Sequence, residues 1–170
     1  MKKTAWMGLA ASLLISSGTY AGDRFVGMGI GSAMIDDSAN VSGTQLSVDD
    51  DDIGWKFYGG MLITENFGFE AGWTDLGDMN QNGVDIETEG FTAAGLASLP
   101  LSEDFSIYAK AGVFFWDQDV NTVSFDGQDL MYGIGVRMRF MDQFHVRVEW
   151  EQFDTKFETD MISVTGGIQF

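Results

Sequence analysis

Residues 67–74 read FGFEAGWT. Phe67, Phe69, Ala71 and Trp73 alternate there with Gly68, Glu70, Gly72 and Thr74. A period of two puts successive side chains on opposite faces of an extended strand, whereas a helix would scatter the aromatics around its axis. One face is therefore greasy, and the other carries a carboxylate among small residues. If the greasy face looks outward, Glu70 is enclosed and the strand belongs to a barrel in lipid. If it looks inward, the strand belongs to a water-soluble protein.

The same alternation recurs on both sides of this segment. Upstream, Val26, Met28 and Ile30 oppose Gly27, Gly29 and Gly31, and within residues 54–62 Trp55, Phe57 and Met61 oppose Lys56, Tyr58 and Gly60. A fourth strand covers about residues 89–99, with little contrast between its Ala- and Gly-rich faces, and ends at Pro100, which lacks a backbone donor. The fifth sets Phe105, Ile107, Ala109, Ala111, Val113 and Phe115 against Tyr108, Lys110, Gly112 and Phe114. The sixth sets Tyr132, Ile134, Val136, Met138 and Phe140 against Gly133, Gly135, Arg137 and Arg139. The seventh sets Phe144, Val146, Val148 and Trp150 against His145, Arg147, Glu149 and Glu151; the last sets Ile162, Val164, Ile168 and Phe170 against Ser163, Thr165, Gly167 and Gln169.

Eight strands are an even number at the lower limit for outer-membrane barrels, and the connections alternate in length as such barrels require. Those near residues 64, 101 and 142 are short, whereas 33–52, 75–88 and 117–129 read as long external loops; the last, around residues 156–160, is short for its side. A soluble barrel or sandwich is the competing architecture. Eight strands enclose a space only just filled by side chains, too small for the large apolar residues of every strand at once. The expectation is an all-β, eight-stranded antiparallel up-and-down transmembrane β-barrel with both termini on the periplasmic side. Trp55, Trp73, Phe67, Phe105, Phe140, Phe144 and Trp150 are placed to form interfacial girdles.

The start of the chain fits export. Lys2 and Lys3 precede an apolar run over residues 5–15, and Thr19, Tyr20 and Ala21 resemble a small-residue cleavage site, so residues 1–21 read as a signal peptide and 22–170 as the barrel domain. No later stretch reaches the ~18 apolar residues of a membrane helix. Cysteine is absent, which leaves no disulfide framework and no thiol chemistry. A formal charge of −17, more negative still once Lys2 and Lys3 are removed, argues against nucleic acid as a partner.

Residues 56–77, KFYGGMLITENFGFEAGWTDLG, resemble the second and third strands of the outer membrane protein A transmembrane domain. DFSIYAK at 104–110, RVEW at 147–150 and a final strand ending in Phe170 extend the likeness in order along the chain. Phe170 with Ile168 two before it resembles the signal read by the barrel assembly machinery. Larger relatives append a peptidoglycan-gripping domain; nothing follows Phe170 here, so cell-wall anchoring is not expected. The resemblance implies a gate in which an interior glutamate and arginine exchange partners, and Glu70 and Arg147 match that pair. The family's strand-four lysine falls among Ala93, Ala94 and Gly95, and its strand-six glutamate falls at Arg137, so the usual exchange partners are not in their usual places.

Glu70, Lys110, Arg137, Arg139, Arg147 and Glu149, with Lys56, are therefore the candidate lumenal charge network, expected chiefly to plug the interior through ion pairs. Asp36, Asp37, Asp75, Asp78, Asp85, Glu87, Asp117, Asp119, Asp126 and Asp129 crowd the external connections, and Asp49, Asp50, Asp51 and Asp52 form the densest run. Clustered carboxylates suit hard cations and could bridge to lipopolysaccharide phosphates, but the glycine and terminal glutamate of a helix-loop-helix calcium site are missing, so a solvated loop is the expectation. His145, the single histidine, has no serine placed for a lipid-hydrolase pair. The expected function is non-enzymatic and structural or surface-interacting, with a narrow low-conductance pore or an adhesin as alternatives. Expected partners are outer-membrane lipids, lipopolysaccharide and the assembly machinery. A monomer with no cofactor is expected.

Overall fold

The structure, a computed structural model, describes residues 23–41, 44–81, 84–120, 123–141, 143–154 and 158–170, with side-chain burial described outside 35–51, 78–86 and 118–125. The signal peptide expected over 1–21 lies outside the described residues. Eight strands follow in order: β1 (Arg24–Val41), β2 (Thr44–Leu62), β3 (Phe67–Gln81), β4 (Val84–Pro100), β5 (Phe105–Val120), β6 (Val123–Phe140), β7 (Phe144–Phe153) and β8 (Thr159–Gln169). Each pairs antiparallel with its neighbours, and β1 closes on β8 from Phe25↔Gln169 to Ile35↔Thr159. The Arg24 and Phe170 amides bond each other's carbonyls at 3.0 and 2.8 Å, sealing the seam at the terminal end.

Closure without a free edge satisfies every ladder group, and the alternation then sorts side chains by solvent. Phe69, Ile134 and Val148 are 60%, 60% and 45% exposed on the outer wall, while Glu70 and Arg147 on neighbouring inward positions are 6% and 1% exposed. The wall facing away from the lumen is thus hydrocarbon-like around the girth, with the ionised groups enclosed. That is the transmembrane arrangement.

Two of the short turns share one device. The Thr64 hydroxyl accepts from the Phe67 amide at 3.0 Å, and the Ser102 hydroxyl accepts from the Phe105 amide at 3.1 Å, so a Ser/Thr three residues before the strand closes each turn locally. Between β6 and β7, Met141 takes a left-handed φ of 51°.

At the opposite end the sequence reading needs correction. Residues 33–52, 75–88 and 117–129 are not long loops but mostly continued ladder: β1 and β2 stay paired out to Val41↔Thr44, β3 and β4 to Gln81↔Val84, and β5 and β6 to Val120↔Val123. About 9–11 residues suffice to cross a bilayer, yet β2 has 19. Once two antiparallel strands are in register, each further pair adds backbone bonds without a new loop to close, so the ladder runs on to the tip. The Asp, Ser and Asn there have poor strand propensity, which is why the composition reads as loop. A bulge interrupts β3 between Asp75 and Asp78, where Gly77 adopts φ 87° and its amide bonds the Asp75 carboxylate at 2.9 Å.

Candidate functional site

The lumen is layered along its axis. Towards the terminal end an apolar layer contains Phe25, Tyr58, Leu62, Leu96 and Tyr108. Towards the long hairpins a second contains Leu76, Phe114, Trp116, Met131, Phe153 and Met161, with the Phe114 and Phe153 rings 4.8 Å apart. Between them sit six ionised side chains from four strands, all buried: Lys56 (β2), Glu70 (β3), Lys110 (β5), and Arg147, Glu149 and Glu151 (β7).

Their geometry is a continuous alternation of sign. Glu70 accepts from Arg147 at 2.6 Å and from Lys110 at 3.1 Å. Lys110 also reaches Glu149 at 2.9 Å and Glu151 at 2.7 Å. Lys56 bridges Glu149 at 2.8 Å and Glu151. Arg147 stands 3.8 Å from Glu149, and its guanidinium lies over the Tyr58, Phe25 and Tyr108 rings at 4.2, 4.6 and 5.1 Å. Three cations thus balance three carboxylates. In a site closed off from bulk water this balance decides stability, because an unmatched buried charge costs several kcal/mol.

Of the residues singled out in the sequence, Glu70, Lys110, Arg147 and Glu149 lie together in this layer, and Lys56 joins them. Arg137 and Arg139 do not. Both lie on lumen-facing positions of β6 towards its Phe140 end: Arg137, the ladder partner of Arg147, donates to the Ser106 hydroxyl at 3.3 Å, and Arg139 reaches Asp104 at 3.9 Å and the Glu103 carbonyl. Their short distance to the end of β6 at Phe140 was the available signal. Glu151 is the member the reading left out of the cluster. Its parity put it on the inner face, but its height beside Lys56 and Lys110 is set by strand stagger, which sequence does not reveal.

The stagger also supplies alternative partners for the gate-matching pair. Instead of a lysine on β4 and a glutamate on β6, Lys110 of β5 stands beside Glu70, and Glu149 of β7 stands beside Arg147. Each of Glu70 and Glu149 therefore touches more than one cation.

His145 is buried below this layer, its Nε2 3.0 Å from the Tyr58 hydroxyl, which also lies 3.0 Å from Thr165 Oγ1. Asp49, Asp50 and Asp51 fall on the β2 backbone, and their side chains lie outside the described residues; Asp52 pairs with Ala33 on the same ladder. No group of three or more His, Cys, Asp or Glu side chains among the described residues is arranged to hold a metal. Ile168 faces outward opposite Phe144, and Phe170 is exposed at the closing seam.

The fold is shared with solved small outer-membrane barrels. The attachment invasion locus protein Ail of Yersinia pestis aligns over 88% of this chain and 99% of its own at 14% identity and a TM-score of 0.63. Neisserial surface protein A aligns over 88% and 96% at 9% identity and 0.62. OprG of Pseudomonas aeruginosa aligns over 90% and 98% at 15% identity and 0.58. No curated protein sequence matches. The profile of the OmpA-like transmembrane domain, by contrast, matches residues 20–168, nearly the whole barrel. The chain is a transmembrane β-barrel of the bacterial outer membrane, and it belongs to the OmpA-like transmembrane domain family.

Proposed function

We propose that the protein is a closed structural barrel that anchors three acidic hairpins at the cell surface, with no catalytic role. The single observation that carries this reading is the layered lumen, in which two apolar layers bracket a fully paired charge layer. Each ion pair between strands joins two that are not ladder neighbours, β2 to β7, β3 to β5, β3 to β7 or β5 to β7, and so resists flattening of the barrel. Above the membrane, residues 33–53, 75–89 and 117–129 contain no Lys or Arg among their many carboxylates. Ail has been crystallised with the heparin analogue sucrose octasulfate. Such a polyanion would be repelled here, so surface partners are cationic, divalent ions bridging to lipopolysaccharide phosphates among them. Ile168 and Phe170 are the proposed contact for the assembly machinery, and the barrel is proposed to work as a monomer.

Planar-bilayer recording tests the closed reading. Wild-type protein is expected to give no unitary steps; reproducible single-channel openings would overturn it. A narrow pore is the second reading, favoured by Glu70 touching both Arg147 and Lys110. In that case Glu70→Ala would change the steps. An adhesin acting through its hairpins would instead lose attachment on hairpin deletion while conductance stayed unchanged.

A further inference from the structure

The rim where the three short turns and the two ends of the barrel meet repeats one backbone arrangement four times. The residue just before each of β1, β3, β5 and β7 offers its carbonyl to the end of the next strand. Asp23 accepts from the Leu62 amide at 2.9 Å, Asn66 from Ser98 at 2.7 Å, Asp104 from Arg139 at 2.8 Å and Gln143 from Gln169 at 2.7 Å. Within the turns, the Ile63 and Thr64 amides bond the Phe67 carbonyl at 2.8 and 3.1 Å, and the Leu101 and Ser102 amides bond the Phe105 carbonyl at 2.9 and 3.0 Å. The rim is thus tied laterally around its circumference, and these groups can leave water without the penalty that an unsatisfied group carries in lipid.

The side chains repeat as well. The residue that opens each turn is apolar and exposed: Ile63 at 56%, Leu101 at 56% and Met141 at 87%. Phe170, at 61%, stands in the fourth sector, at the closing seam. Polar tips follow in the first two turns, Thr64 with Glu65 and Ser102 with Glu103, all exposed. Ile63 lines a hollow of the outer wall together with Phe67, Phe69, Ala97 and Ala109, so it continues the hydrocarbon-facing surface beyond the end of β2. A protein partner docks on one side, whereas these apolar side chains stand in all four sectors. A medium that surrounds the barrel meets all of them at once.

We propose that this rim is a lipid-binding collar. Ile63, Leu101, Met141 and Phe170 lie among the acyl chains of the terminal-side leaflet at the headgroup boundary, and the Glu65 and Glu103 carboxylates reach past them to water. The collar fixes how deep the barrel sits. Movement towards water uncovers the four apolar side chains together, and movement inward carries the turn carboxylates into hydrocarbon. It acts whether or not the barrel conducts, because it lies outside the lumen.

The chain has no cysteine, so a nitroxide can be placed at one site at a time in the folded barrel in phospholipid vesicles. Ile63→Cys, Leu101→Cys and Met141→Cys are labelled, with Glu65→Cys and Glu103→Cys as controls on the turn tips and Phe69→Cys as the reference on the outer wall. Heat-shifted gel mobility confirms that each variant is folded. Collisions with dissolved oxygen, which concentrates among acyl chains, are then compared with collisions with a water-soluble nickel chelate. The oxygen-to-chelate ratio at Ile63, Leu101 and Met141 is expected to approach that at Phe69 and to exceed that at the two tips several-fold. Chelate-dominated collisions at any of the three, matching those at Glu65 and Glu103, would overturn the collar and leave the turns in water. The Phe69 reference separates that result from a failure of the outer-wall assignment itself.

Discussion

Replacing Lys110 by Met tests the charge layer at its hub. The side chain keeps its length but loses the ammonium that meets Glu70 at 3.1 Å, Glu149 at 2.9 Å and Glu151 at 2.7 Å. Lys56 and Arg147 would then face three buried carboxylates. Breaking a buried pair by removing one partner costs about 3–5 kcal/mol. Lys56 still holds Glu149, and Arg147 still holds Glu70, so the lower half of that range, about 3–4 kcal/mol, is expected. That is a shift of about 100-fold or more in the folding equilibrium. Reversible guanidinium unfolding in phospholipid vesicles, followed by tryptophan fluorescence, reads it directly. Adding Glu151→Gln removes the carboxylate left in excess and leaves two matched pairs, so the double variant should recover at least about 1 kcal/mol relative to Lys110→Met alone. A loss under about 1 kcal/mol for Lys110→Met, the size of an exposed pair, would refute the reasoning. Strict additivity in the double variant would refute it equally.

Other perturbations probe other layers. Val148→Arg puts a cation on the lipid face of β7 and should cost about 2–4 kcal/mol in vesicles; stability unchanged in bilayers would contradict the outward assignment. Gly135→Ala drives a methyl to 2.6 Å from the Tyr108 ring and hydroxyl; about 1–3 kcal/mol of overpacking is expected in the same unfolding assay. Phe114→Ala removes one of two rings packed 4.8 Å apart in the hairpin-side apolar layer; a loss of about 3–5 kcal/mol is expected, with the bilayer trace still silent because the terminal-side layer remains.

How much of this was legible beforehand differs from residue to residue. The period-two pattern in residues 67–74 needs no tertiary information, because side chains on a strand alternate whatever the strand pairs with. Combined with the narrow interior of an eight-stranded closure, it placed Phe69 outside and Glu70 inside, and the structure agrees. Strand ends on the hairpin side were misread, since outside the membrane neither face is sorted by solvent and the ladder extends through residues of low strand propensity.

What the sequence by itself determined is therefore the sidedness of each strand, the strand number and the membrane-facing wall. Alternation and chain economy leave no other arrangement for so many apolar side chains. What only the tertiary structure decided is height. The tilt and stagger of the strands bring Lys56, Glu70, Lys110 and Glu151, distant in sequence, to one level, and leave Arg137 and Arg139 to meet Ser106 and Asp104 instead. Parity tells which way a side chain points, but two charges meet only if the closed sheet sets them at the same depth, and that offset is a property of the whole barrel.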